Sequence, residues 1–454
     1  MMPFWIQQIK INRSDRDAVY IQIANEIIRF IKSGVLQVGE VLPGTRRLAD
    51  ELNVNRNTII QSLDILVNEG WLISEERKRI YVSNKLSLSK PVQKKASQQD
   101  NTEIFRNDLI FFDDGLPDTS CTPMQIMNLA SEFGDEKFRH TISGMLNQNR
   151  GMHTSVSDIC ITRGSQMALF LTAHCILDKG DIVLVENPGF KPAWETFQHA
   201  GARLVPVSVD EEGVDIDEIE NVLKKGKVKA IYLTPHHQYP TTVTLSLARR
   251  LRLIELSNLY GFTIIEDDYD NEFHFGQRPV MPVSSLEGVN NYVYIGTMSK
   301  LIAPAIRIGY TVTSVGLIAK IGKLRKIVDR QGDTIMEQSI LDLMISGDIR
   351  RHQKRMLNHY EKKRDYFDSL LAHYLKEKVT YKKPDGGLAF WLKPIDDIDL
   401  FQLKQLLNSK LVSFYTPDRF SFGKDISGIR LGYASLSEQN LEKGIEILSK
   451  CFLR

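Results

Sequence analysis

Apolar and polar positions recur along this chain with two different periods, and the changes of period mark its organisation. Near the N-terminus Ile23, Ile27, Ile28 and Ile31 lie at helical spacing, with Gly34 as a stop. The loop VLQVGEVLPG follows. Leu48 and Leu52 then share one face of a short helix that starts at about Thr45 and breaks at Asn53. Asn55 has the side chain of an N-cap, and Ile59, Leu63, Leu66 and Val67 form the stripe of the next helix, which Gly70 ends. WLISEERKRIYVSN alternates as a two-stranded hairpin with a basic tip. Helix, short helix, tight turn, helix, hairpin: this order predicts a winged helix-turn-helix over residues 1–83. Further along, the bounded apolar runs IVLVE (182–186), AIYLT (230–234), TIIED (263–267) and YVYIG (292–296) alternate with helical stretches. They predict buried parallel strands in a doubly wound α/β sheet, with a ligand crevice at the carboxyl ends of the strands. Residues 331–454 read as helical and then mixed, which predicts a smaller C-terminal subdomain.

Composition sharpens the boundaries. Residues 84–107 (NKLSLSKPVQKKASQQDNTEIFRN) are too polar to offset their own ordering entropy, so they read as a linker before a body at 108–454. The 454-residue chain is 42% hydrophobic and 25% charged, which excludes a mostly disordered chain. With 58 basic and 56 acidic residues it is not a polycation, so nucleic-acid binding has to come from a local surface. Cys121, Cys160, Cys175 and Cys451 show no CxxC or metal-ligand spacing, which points to a reducing compartment. The longest apolar run, Ala168 to Leu177, falls short of the roughly 18 residues of a membrane span and reads as a core helix. The first residues do not have the pattern of a secretory signal, and a cytoplasmic location is the expectation.

A helix-turn-helix presents short polar residues where its second helix enters the major groove. Asn55, Arg56, Asn57 and Thr58 crowd that helix start, where the N-terminus itself attracts phosphate. Arg46 is placed to clamp a backbone phosphate, and Arg77, Lys78 and Arg79 form the tip of the wing. The head is nearly charge-balanced, so charge alone does not separate a DNA reader from an ordinary solvated helical domain. The segment LPGTRRLADELNVNRNTIIQSLDILVNEGWL resembles the GntR family of regulators. Leu42, Pro43, Arg46, Leu48, Ala49, Val54, Arg56, Thr58, Leu66 and Gly70 match its signature, while Gly44 and Asn55 stand where the pattern usually has Ser. The resemblance implies binding to a double-stranded DNA operator.

The body offers a residue for each demand of pyridoxal 5′-phosphate: an amine, a carboxylate at the ring nitrogen, donors for the phosphate and a flat group on the ring. Lys300 in YIGTMSKLIAPAIRIGY supplies the amine; Thr297, Ser299 and Arg307 around it form a dianion cradle. Asp267 ends TIIED, and Tyr269 follows two positions on, able to face the phenolic oxygen. Taken alone, Asp267 also reads as a generic acidic strand end or even a Mg²⁺ site. Gly164, Ser165 and Gln166 open a helix whose N–H groups point at phosphate. Phe190, after the turn at Pro188 and Gly189, reads as a stacking ring or as core. His236 and His237 are adjacent with no zinc-spaced partner, so no metal site is expected.

Together these residues resemble the fold-type I aminotransferases, and specifically the MocR/GabR-like regulators, in which a GntR-type head joins an aminotransferase-like body. FFDDGLPDTSCTP, LNQNRGMHTSVSDICITRGSQMAL and GIRLGYASLSEQNLEKGI extend the resemblance over nearly the whole chain. It implies that Lys300 carries the internal aldimine, Asp267 pairs with the ring nitrogen, Tyr269 faces the ring oxygen and Phe190 stacks. It also implies that Arg430 binds the carboxylate of an amino-acid effector, and that the protein is a homodimer. TPHHQYPTT departs from the family pattern: Thr242 stands where relatives have glycine, which puts the cofactor contacts of Gln238 and Tyr239 in question. SEFGDEKFRHTI is shortened where a partner-subunit tyrosine comes from in aminotransferases. The implied function is a regulator that senses an amine, an amino acid or the cofactor itself through aldimine exchange at Lys300. The alternative is a working aminotransferase that carries a DNA-binding head.

Overall fold

The structure is a computed structural model and describes residues 4–13, 18–75, 79–83, 131–275, 280–423 and 426–452. Arg77, Lys78, Cys121, the segment 84–107 and the motif at 111–123 lie outside the described residues.

The head folds as its hydrophobic pattern requires. Helix α1 (Val19–Lys32) buries Ile23, Ile27, Ile28 and Ile31. Helix α2 (Thr45–Glu51) stops before Asn53, whose φ of 50° is left-handed. Helix α3 (Arg56–Asn68) is capped by the Asn55 side chain, which accepts from the Asn57 N–H at 2.9 Å. Strands β1 (Leu72–Glu75) and β2 (Arg79–Val82) then pair antiparallel as the wing.

In the body, α4 (Glu136–Arg150), β3 (Ile159–Thr162) and α5 (Ser165–Ile176) lead into β4 (Ile182–Asn187) and α6 (Lys191–His199). Strands β5 (Arg203–Asp210) and β6 (Gly213–Val214), helix α7 (Ile216–Leu223), β7 (Val228–Leu233), α8 (Leu247–Tyr260), β8 (Thr263–Asp268), β9 (Tyr292–Thr297) and β10 (Gly309–Val312) complete the large part. The eight strands form one sheet in the order β3-β10-β9-β8-β7-β4-β5-β6. The four runs read from sequence are its centre, β9-β8-β7-β4, and all pair parallel. They are apolar on both faces because helices cover both. Strand β10 runs antiparallel to both neighbours.

The rest is α9 (Val315–Val328), α10 (Thr334–Ile345), the 27-residue α11 (Asp348–Tyr374), β11 (Val379–Tyr381), β12 (Ala389–Pro394), α12 (Leu400–Asn408), β13 (Ile429–Gly432) and α13 (Glu438–Cys451). Strands β11, β12 and β13 make a three-stranded antiparallel sheet over a separate core that includes Phe367, Phe390 and Tyr433.

One core joins head and body. Trp71, Leu66 and Ile27 belong to the same buried cluster as Leu247, Leu253 and Val283. At Gly70 (φ 83°) an added Cβ would lie 3.6 Å from the Leu247 Cβ.

Candidate functional site

Register brings the crevice together. Thr162 pairs with Gly309, and Gly309 pairs with Thr297, so the ends of β3 and β9 share one row with the start of β10. Asp267 pairs with Ile295, two residues before Thr297 on the neighbouring strand. The carboxyl ends of β3, β8 and β9 therefore meet at one edge, which explains how positions 164, 267 and 300 come together.

The phosphate end is built from two close backbones. Gly164 (φ 77°) caps α5, and a Cβ on Gly309 would lie 2.6 Å from the Gly164 carbonyl carbon. A Cβ on Gly164 would lie 2.7 Å from Nη2 of Arg307, which donates to the Arg163 carbonyl at 3.3 Å. Arg307 is thus carried to the start of α5, where Ser165 and Gln166 follow the glycine. The Gln166 side chain is engaged elsewhere: it donates to Thr196 Oγ1 at 2.8 Å and holds α6. Thr297 Oγ1 donates to the Ile308 carbonyl and accepts from the Ser299 N–H, both at 3.2 Å. Ser299 Oγ is buried without a hydrogen-bond partner, and Lys300 beside it is exposed.

At the ring end, Tyr232 on β7 donates to Asp267 Oδ2 at 2.8 Å, while Asp267 Oδ1 is buried and unpartnered. Burial pushes the Asp267 carboxyl up to about 7, and neighbouring Asp268 and Asp270 push the same way. Asp268 is held by Tyr294 at 2.6 Å and faces Arg150 at 3.3 Å. The Tyr269 hydroxyl donates to the His237 carbonyl at 2.8 Å.

The loop 234–242 closes one wall. β7 ends at Leu233, so His236 and His237 both sit in the loop. Each meets an aspartate: His236 faces Asp268 at 3.5 Å, and His237 Nδ1 lies 2.8 Å from Asp270. Gln238 is buried and spends its side chain on the loop. Its Nε2 donates to the Pro188 carbonyl at 2.8 Å, and its Oε1 accepts from the Thr241 hydroxyl at 2.6 Å. Tyr239 meets Phe190 edge-on at 5.3 Å. Arg430 on β13 lies 4.9 Å over the Tyr239 ring and donates to the Pro240 carbonyl at 3.2 Å. Phe190, Tyr239 and Arg430 therefore line a common mouth. Tyr232, Tyr294 and Arg150 went unread in the sequence, because no local motif marks a partner brought in from another strand or helix.

In the head, Arg46, Asn55, Arg56, Asn57 and Arg79 are exposed, and Thr58 is partly buried. Arg56 Nε donates to the Thr45 hydroxyl at 3.2 Å, which steadies the guanidinium beside the start of α3.

Residues 125–448 match the family described as aminotransferase class I and II, and residues 19–82 match the bacterial regulatory proteins of the gntR family. The chain belongs to the class I and II aminotransferase family, with a gntR-type head on the same polypeptide. It is similar along almost its whole length to the "Probable rhizopine catabolism regulatory protein MocR" of Rhizobium meliloti, with 26% identity over 97% of this chain and 95% of that protein. The "HTH-type pyridoxine biosynthesis transcriptional regulator PdxR" of Corynebacterium glutamicum is 25% identical over 95% of this chain and 96% of its own. Among solved structures, the Pyrococcus horikoshii kynurenine aminotransferase, in complex with PMP, superposes with a TM-score of 0.69 at 28% identity, covering 72% of this chain and 83% of its own.

Proposed function

We propose that this protein is a pyridoxal 5′-phosphate-dependent, DNA-binding transcriptional regulator that senses a small amine or amino acid, or the cofactor itself, at Lys300. The gntR-type head, the aminotransferase-type body and pyridoxal 5′-phosphate as its cofactor are properties of the protein class. The observation that carries the residue assignment is the pair of orphaned buried atoms, Asp267 Oδ1 near the end of β8 and Ser299 Oγ just past the end of the adjacent β9, next to Lys300. A buried polar atom without a partner is costly, and a ring nitrogen and a phosphate would satisfy this pair.

When bound, the cofactor supplies an aldehyde that condenses with amines. Lys300 would provide the resident amine, for which an effector amine would compete. Asp267 would hold the ring nitrogen through Oδ1 and Phe190 would cover the ring; the Tyr269 hydroxyl donates to the His237 carbonyl at 2.8 Å, so it would face the ring oxygen on giving up that bond. Ser165 and Gln166, through backbone N–H groups at the start of α5, together with Ser299 and Arg307 would hold the phosphate; the Gly164 N–H donates to the Thr162 carbonyl at 2.9 Å and the Thr297 hydroxyl to the Ile308 carbonyl at 3.2 Å, so these two shape the cradle instead. Arg430 takes an effector carboxylate. Arg46, Asn55, Arg56, Asn57, Thr58, Lys78 and Arg79 hold operator DNA, with residues 1–83 as the head, 84–107 as the tether and 108–454 as the sensor, and the working unit is a homodimer.

Lys300→Ala is expected to abolish the visible absorbance of the loaded protein and leave basal DNA binding intact. Arg56→Ala is expected to weaken DNA binding without changing the spectrum. Loss of both properties in either variant would refute separable roles. Complete transamination is the competing function, favoured by the intact set of chemical residues. Steady-state turnover near roughly 1 s⁻¹ with amino and keto acids would establish it.

A further inference from the structure

Arg250 on α8 is 1% exposed, and among the described residues no carboxylate lies within salt-bridge distance of it, although Glu266, Glu69 and Asp268 act on it from farther off. Its guanidinium is spent on three carbonyls. Nε donates to Leu245 at 2.8 Å, Nη2 to Pro235 at 3.5 Å and Nη1 to Met281 at 2.6 Å. Pro235 and Leu245 are the two ends of the loop that bears Gln238 and Tyr239, and they bond directly to each other through Leu245 N–H and the Pro235 carbonyl at 2.8 Å. Arg250 thus clamps the neck of the crevice loop onto Met281.

Met281 continues the chain of contacts into the head. Its N–H donates to Glu69 Oε1 at 3.3 Å, and Glu69 Oε2 accepts from Trp71 Nε1 at 3.2 Å. Glu69 is the C-cap of α3, the helix whose other end presents Asn55, Arg56 and Asn57. A second tie converges on the same segment. Glu266, the residue before Asp267, accepts from the Val283 N–H at 2.8 Å and the Ser284 N–H at 2.9 Å. Residues 281–284 are therefore held by Asp267's neighbour, by the crevice loop through Arg250, and by the helix of the head through Glu69. A buried charge held by backbone carbonyls contributes less to stability than an apolar side chain of similar size would, but it fixes one arrangement of three segments.

We propose that Arg250 and Glu69 form a relay through Met281 that passes the state of the crevice loop to the C-terminus of α3, and so to the DNA-reading end of the head. This rests on the cofactor site proposed above and adds the route by which it regulates the head. Motion of loop 234–245 on loading repositions Pro235 and Leu245, Arg250 carries the change to Met281, and Glu69 carries it to α3.

The test uses the full chain, with pyridoxal 5′-phosphate as the probe. Amide hydrogen exchange is followed in the peptides of α3 and β1, and loading is followed separately by absorbance. In the wild type, loading is expected to change exchange at the C-terminal end of α3 by about 5-fold or more, the lower range of ordinary inter-site coupling. Arg250→Met and Glu69→Leu put an apolar side chain where each polar group stood and remove its hydrogen bond to Met281. Both are expected to load as the wild type does, with the response of the head lost. A wild-type head that ignores loading, or variants that respond as the wild type does, would overturn the relay. If Arg250→Met does not fold, Glu69→Leu decides alone. Failure of the wild type to load would instead refute the cofactor site, and absorbance reports that independently.

Discussion

Thr242 is a β-branched residue at φ 63°, a left-handed conformation that glycine adopts without strain. Its N–H donates to the Gln238 carbonyl at 2.7 Å, so it closes the turn that holds Gln238 and Tyr239 at the crevice. The departure from glycine noted in the sequence is therefore a site of stored strain in the wall of the crevice. Thr242→Gly is expected to stabilise the protein by about 1 kcal/mol, measured as a shift of the urea midpoint. Asp267 illustrates the limit of residue-level reading. Its strand-end position was legible, but the Tyr232 hydroxyl that holds one of its oxygens comes from the next strand, and no spacing along the chain announces it.

Helix α3 is an element with two jobs at its two ends. Its stripe of Ile59, Leu63 and Leu66 was readable from period alone, as was its cap, because both depend on neighbours within a few residues. Its far end was not, because Glu69 meets Met281 from a segment more than two hundred positions away. Burial pushes the Glu69 carboxyl from an ordinary 4.5 up to about 7, against the pull of Arg250. A folded value above the unfolded one means that the stabilising contribution of the protonated form is full below about 4.5 and lost as pH rises through about 7. The stability of the wild type relative to Glu69→Gln is therefore expected to fall by about 2–3 kcal/mol between about pH 5 and pH 8. Urea titrations of both proteins at the two pH values measure it, and a difference that does not change with pH would contradict it.

At the scale of the whole molecule, the head is not merely tethered. It shares a core with the body through Trp71, Leu66, Leu247 and Val283, so α3 is packed against the body and not held by the intervening chain alone. Leu259 (74%), Ile327 (83%) and Ile345 (72%), on α8, α9 and α10, are large apolar side chains left exposed in the single chain. Sedimentation equilibrium is expected to return the mass of two chains, and a monomer at micromolar concentration would contradict the homodimer.

The amino-acid sequence by itself determined the head's elements and the four central parallel strands, and it supplied Lys300, Asp267 and Arg307, the residues from which the cofactor site is proposed. Each of these depends on local periodicity or on residue types packed into short motifs. Only the tertiary structure decided which residues hold that set in place. Strand register carries Tyr232 to Asp267, the antiparallel β10 brings Arg307 to Gly164, and packing buries Arg250 and Glu69 on either side of Met281. Those contacts join segments far apart along the chain, and they form only when burial of the apolar faces fixes how sheet, helices and head meet.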